Sequence, residues 1–144
     1  MYCYEYPRLM LTVDIALFRK VNNQVFILLI KRGNEPFKNS WALPGGFVDM
    51  EETLLRAAER ELKEETGISG VELKQFYTYG DLNRDPRGRT VSIIHYGFMN
   101  HYNAIPIAGD DAADANWFSI SKLPSLAFDH EKIINELNNF LQLV

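Results

Sequence analysis

The sequence has a single cysteine, Cys3, so it can form no internal disulfide and no cysteine-based zinc site. A reducing, cytoplasmic setting is expected. Long apolar runs are also missing: no segment approaches the roughly 20 residues that cross a bilayer, and no membrane partner is expected. The opening residues, MYCYEYPRLML, carry Glu5 and Pro7 where a secretory signal needs a basic start and an apolar run. Nor is there a surplus of positive charge, since 15 Lys and Arg stand against 19 Asp and Glu for a net charge of −4. Residues 49–65 hold seven acids and three bases, which leaves twelve of each elsewhere (19 − 7 and 15 − 3). The whole imbalance sits on one stretch, and no basic face remains for a nucleic-acid backbone.

What is present is ordinary globular composition, 47% hydrophobic and 24% charged over 144 residues, which predicts one domain spanning 1–144. Residues 2–8 read as an edge strand or an arm packed on a partner, with Tyr2, Tyr4 and Tyr6 close together. Residues 11–18 alternate as a strand with Val13, Ile15 and Leu17 on one face. Asn22-Asn23 signals a turn into a strand over 25–30 that is buried on both faces. Residues 41–43 form a short strand entering Pro44-Gly45-Gly46. Further strands are predicted over 71–79, 90–99 and 115–120. A loop over 101–114 holds Asp110, Asp111 and Asp114. A closing helix over 130–142, capped by Asp129, has Ile133, Ile134, Leu137, Phe140 and Leu141 as its buried stripe. Strands, helix, strands, helix in one unit predict an α/β fold with a mixed sheet between helices.

The chain is organised around residues 46–68, GFVDMEETLLRAAERELKEETGI. Thr53 is the predicted N-cap and Gly67 the stop. At about 100° per residue, Glu61, Glu64 and Glu65 share one side of that helix, where like charges repel. Lys63 and Arg56 point the other way, so a bound divalent cation is the expected compensation. Three carboxylates beside a glycine turn, with Gly45 offering a backbone carbonyl, make an all-oxygen site suited to Mg²⁺, with Mn²⁺ the alternative. Such a site suits attack of water on a diphosphate. The competing reading is an amphipathic helix with a solvated acidic edge.

The same stretch matches, without exception, the pattern Gly, five residues, Glu, seven residues, Arg-Glu, apolar, any, Glu-Glu, any, Gly, apolar, read here at Gly46, Glu52, Arg60, Glu61, Leu62, Glu64, Glu65, Gly67 and Ile68. A chance match in a chain of this length is on the order of one in ten million. The chain thereby resembles the Nudix hydrolases. The resemblance implies an α/β/α sandwich, Glu61 and Glu65 as main metal ligands, Glu64 as a further ligand or base, and Glu52 with Arg60 as an orienting pair. It also implies a general base in a distant loop, for which Asp110, Asp111 and Asp114 are candidates, Asp111 first. Arg84, Arg87 and Arg89 offer guanidiniums to phosphate; Arg32 and His130 complete the candidate substrate contacts. Trp41 and Trp117 read as core.

The stretches YGDLNRDPRGRTVS and LAFDHEKI resemble ADP-ribose hydrolases within that family, and the Nudix-like sensor domains of regulators of nicotinamide metabolism. Many ADP-ribose hydrolases carry a proline about fifteen residues past the signature; here Pro86 stands eighteen past Ile68. The resemblance implies cleavage of a small nucleotide, ADP-ribose to AMP and ribose 5-phosphate. The alternatives are sanitation of triphosphates such as 8-oxo-dGTP and a non-catalytic sensor. Against the sensor stand the complete ligand set and a chain that ends at Val144 without room for a DNA-binding domain. A homodimer is expected, with the tyrosine-rich N-terminus as its interface.

Overall fold

The computed structural model describes residues 1–100 and 105–144; the first part of the predicted 101–114 loop lies outside the described residues. The order of elements is β1 (Met10–Val21), β2 (Gln24–Arg32), β3 (Trp41–Ala42), β4 (Gly45–Phe47), α1 (Leu54–Thr66), β5 (Lys74–Tyr79), β6 (Thr90–Phe98), β7 (Ala112–Ser119) and α2 (His130–Leu141). The β1–β2 hairpin turns at Asn22 and Asn23, whose φ values of 51° and 67° are the left-handed pair that a tight two-residue turn demands and asparagine tolerates.

The sheet is mixed. β1 runs parallel to β6 along one edge and antiparallel to β2 and β4 along the other, while β5 borders β6 and β7 borders β2. Alternation along β1 sorts the core into two layers. Val13, Ile15 and Leu17 pack with Ala57, Ala58 and Leu62 of α1, whereas Ala16 and Phe18 pack with Ile133, Ile134 and Leu137 of α2. Each fully buried large aliphatic stabilises this arrangement by about 2 kcal/mol over an exposed one. The α/β/α sandwich with a mixed sheet is the result. Of the two tryptophans, Trp41 packs against the α2-side core and Trp117 against the α1-side core.

Helix α1 begins and ends where local chemistry dictates. The Thr53 hydroxyl accepts from the Arg56 N–H at 3.2 Å, and Gly67, at φ 76°, returns its N–H to the Lys63 carbonyl at 2.8 Å. Four expectations are corrected. Residues 2–8 form no strand and are exposed. The strand expected from residue 71 starts at Lys74. Asp129 stands at the N-cap of α2 without capping it, because Arg84 takes its carboxylate. Phe140 is 63% exposed; its ring lies tilted against Phe76 rather than in the core.

Candidate active site

Strand β4, three residues long, positions the site. Its register on β1, Asp14 opposite Gly45 and Val13 opposite Gly46, carries the glycine turn across the sheet and under α1. A β-carbon at Gly46 would overlap both carboxylate oxygens of Glu61, and one at Gly45 would overlap the Val13 carbonyl and the Asp14 carboxylate. Both glycines therefore allow a close approach that any side chain would block. Beside them opens a cleft of about 410 Å³, lined by the α1 glutamates and by Arg32, Arg84, Arg87 and His130.

Arg60 organises the acidic side chains. Its guanidinium grips Glu52 at 2.9 and 2.6 Å, reaches Glu61 at 2.8 Å and Glu64 at 3.2 Å, and donates to the Phe47 carbonyl at 3.0 Å. The compensating cation for Glu61 and Glu64, sought in vain at Lys63 and Arg56, is thus partly Arg60 itself. Its hydrogen bonds hold the Glu52 carboxyl down at about 2. Glu65 is beyond this help. It accepts from the Gly45 N–H at 3.3 Å and otherwise faces Glu61. Burial, reinforced by the Glu61 charge, pushes the Glu65 carboxyl up to about 9. Burial likewise raises Glu61, against the pull of Arg60.

Glu61 and Glu65 therefore form a half-buried carboxylate pair that holds a proton where a cation would serve instead. That is the chemistry of a divalent metal site, and an all-oxygen pair fits Mg²⁺ or Mn²⁺. No cage of three or more ligating side chains is preformed among the described residues. Glu64, its side chain 42% exposed, turns to Arg60 rather than to the pair.

Among the basic residues, the Arg84 side chain is almost wholly buried and committed: its fork holds Asp129, and its third nitrogen donates to the Ser92 hydroxyl at 2.7 Å. Arg87 bonds Asp85 and lies over the rings of Phe47 and Phe128, while Arg32 lies over Phe128 and donates to the Pro36 carbonyl. Burial and the neighbouring Arg87 charge lower Arg32. Two guanidiniums thus lie over one ring beside the cleft, with the Asp85 carboxylate bonded to Arg87. Arg89 is exposed and lies away from the cleft lining. The loop with Asp110 and Asp111 lines the rim, docked by the Gly109 N–H on the Glu65 carbonyl and the Gly33 N–H on the Asp111 carbonyl. Asp114 lies in β7, bonded to the Ala115 N–H.

Asp14 escaped the sequence reading. It lies inside β1, 8% exposed, and lines the cleft floor with Thr12 and Ser92. Burial raises its carboxyl to about 7 despite the pull of Arg84. The only signal was a charge within an apolar strand. Phe128 was missed as well; its φ of 53° is unusual for an aromatic residue and turns its ring towards Arg32 and Arg87.

A carboxylate pair, a glycine turn and paired guanidiniums around one cleft define a phosphate-ester or diphosphate hydrolase site. The chain belongs to the Nudix family: the NUDIX domain model matches residues 8–137. It is 44% identical over 129 residues to an ADP-ribose pyrophosphatase of Methanocaldococcus jannaschii, covering 90% of this chain and 75% of that one. It is 38% identical to the ADPR responsive transcriptional repressor NtrR of Acinetobacter baylyi, covering 94% of this chain and 57% of the repressor. Among solved structures, the NUDIX domain of Shewanella oneidensis NrtR complexed with ADP ribose superposes with a TM-score of 0.88 at 34% identity, over 94% of this chain and 90% of that one. The chain is thus a Nudix pyrophosphohydrolase. Among the described residues no helix is long and apolar enough to cross a membrane.

Proposed function

We propose that this protein is a Mg²⁺-dependent ADP-ribose diphosphatase that attacks the diphosphate with water and releases AMP and ribose 5-phosphate. The observation that carries it is the Glu61–Glu65 pair lining one cleft together with Arg32 and Arg87. Negative charge on a substrate diphosphate is met by cations on both sides, one from solution and one from the protein. Similarity to the archaeal ADP-ribose pyrophosphatase supports the substrate.

Glu61 and Glu65 would hold Mg²⁺, with Mn²⁺ as its substitute and the Gly45 carbonyl as a backbone ligand. The bound ion supplies charge neutralisation at phosphate and a lowered pKa for a coordinated water. Arg60 fixes Glu61 and Glu64 through its anchor on Glu52. Arg87 and Arg32 orient the phosphates and stack beside the nucleoside. Arg84 acts one step back, by holding the loop, and the Nδ1 side of His130 holds the chain entering the glycine turn. The proton released by water goes to a carboxylate at the rim, Asp111 or Glu64. The chain works as one domain, in the cytoplasm, and pairs into a homodimer through the exposed arm of Tyr2, Tyr4 and Tyr6.

The test is a panel of ADP-ribose, NADH, a diadenosine polyphosphate, dGTP and 8-oxo-dGTP with Mg²⁺, products separated by chromatography. Selective AMP release from ADP-ribose is expected; selective pyrophosphate release from 8-oxo-dGTP overturns the substrate. A second reading, an ADP-ribose sensor, is favoured by the likeness to the NtrR repressor. It requires tight ADP-ribose binding with no turnover of any member of the panel.

A further inference from the structure

His130 has one ring nitrogen in use. Its Nδ1 accepts from the Leu43 N–H at 3.0 Å, so in the neutral ring the proton sits on Nε2. Among the described residues no hydrogen bond reaches Nε2; the nearest charged oxygen, Asp14 Oδ2, is 3.8 Å away, too far for a direct bond. Both side chains are buried, both line the cleft floor, and one is a donor facing an acceptor across a gap. The Asp14 carboxylate, which also bonds the Ser92 hydroxyl, keeps acceptor capacity for a further donor. A hydroxyl oxygen placed about 2.8 Å from each would accept from Nε2–H and donate to the carboxylate. The Thr12 and Ser92 hydroxyls, bonded to each other beside Asp14, extend the polar floor. Water could fill the gap, but the floor belongs to the cleft that must receive a nucleotide sugar, and a carboxylate is a common partner of ribose hydroxyls.

We propose that Asp14 and the Nε2–H of His130 together bind one ribose hydroxyl of the substrate, and so select a ribosyl-bearing diphosphate over a deoxy one. The inference rests on the reading of this cleft as a diphosphate-sugar site. Asp14 here is a specificity residue, distinct from the glutamates that serve the reaction. Gly45 abuts the Asp14 carboxylate, and Asp14 lines the cleft.

The experiment compares wild type and Asp14→Asn on ADP-ribose and on analogues lacking one ribose hydroxyl at a time. The readouts are kcat/KM with Mg²⁺ and, independently of turnover, Kd by calorimetry in EDTA. Wild type should prefer ADP-ribose to one particular deoxy analogue by about 10- to 100-fold, carried in KM. In Asp14→Asn that preference should shrink to within about threefold, while the other analogues keep their ratios. An equal loss on every substrate, or an unchanged preference, overturns the proposal and leaves Asp14 a purely structural residue. Failure of wild type to release AMP while still binding ADP-ribose would instead overturn the enzyme reading, and the Kd ratios would still decide the role of Asp14.

Discussion

Arg84 and Asp129 face each other through two hydrogen bonds, 2.9 and 2.7 Å long, that join the loop after β5 to the first turn of α2. The Arg84 side chain is only 6% exposed, and its remaining contact is Ser92 on the cleft floor. One residue thereby ties the site to the sheet and to α2.

Arg84→Ala leaves the Asp129 carboxylate without its partner in a half-buried place. The cost is expected to be about 3 kcal/mol of stability, read as a lower midpoint in chemical denaturation. Arg84→Lys should recover little, because an ammonium cannot make the paired contact. A midpoint equal to that of wild type in the alanine variant would show the pair to be incidental.

Gly46→Ala forces a methyl group against the Glu61 carboxylate. The fold should survive, since Glu61 can swing aside, but the carboxylate pair should not. Far-ultraviolet dichroism like that of wild type, with AMP release from ADP-ribose down by about 100-fold, is the expected combination. Retained turnover would separate Glu61 from the chemistry.

The metal-free protein should lose stability as pH rises. Glu65 has a folded value of about 9 against an ordinary 4.5, so its contribution is full below 4.5 and vanishes as pH climbs through 9. Asp14, raised from 3.8 to about 7, adds loss in the same direction over a lower window. Glu52 and His130 act oppositely. Glu52, at about 2, loses its contribution as pH falls from 4.5, and His130, at about 4, loses its contribution as pH falls from 6.5. Thermal melts in EDTA should therefore decline between pH 7 and 9, and Mg²⁺ should restore more stability at pH 9 than at pH 6. A flat melting profile over that range would contradict the shared-proton picture of Glu61 and Glu65.

Much of the architecture could be read directly from the residues because its signals are local. Thr53 and Gly67 terminate α1 by chemistry that needs no tertiary partner, and Asn22-Asn23 does the same for the first hairpin. Strand β4 was missed since three residues, two of them glycine, have no period to detect. Asp14 looked like the polar member of an alternating strand; its burial depends on Gly45 and on His130, which arrive far later in the chain. The arginine loop showed the limit most clearly. Arg84, Arg87 and Arg89 are equivalent on paper, yet Asp129 and Asp85 claim the first two, and Arg89 is left at the surface. Asp129 read as a helix cap for the same reason: its competitor lies 45 residues away.

The most direct test of the account is AMP release from ADP-ribose by wild type and Glu65→Gln, each assayed with Mg²⁺ and with EDTA. Wild type with Mg²⁺ should release AMP and ribose 5-phosphate. The variant should be at least about 100-fold slower while remaining folded, and EDTA should silence both. Turnover by Glu65→Gln equal to that of wild type, or undiminished turnover in EDTA, would contradict the assignment of the carboxylate pair as the metal site.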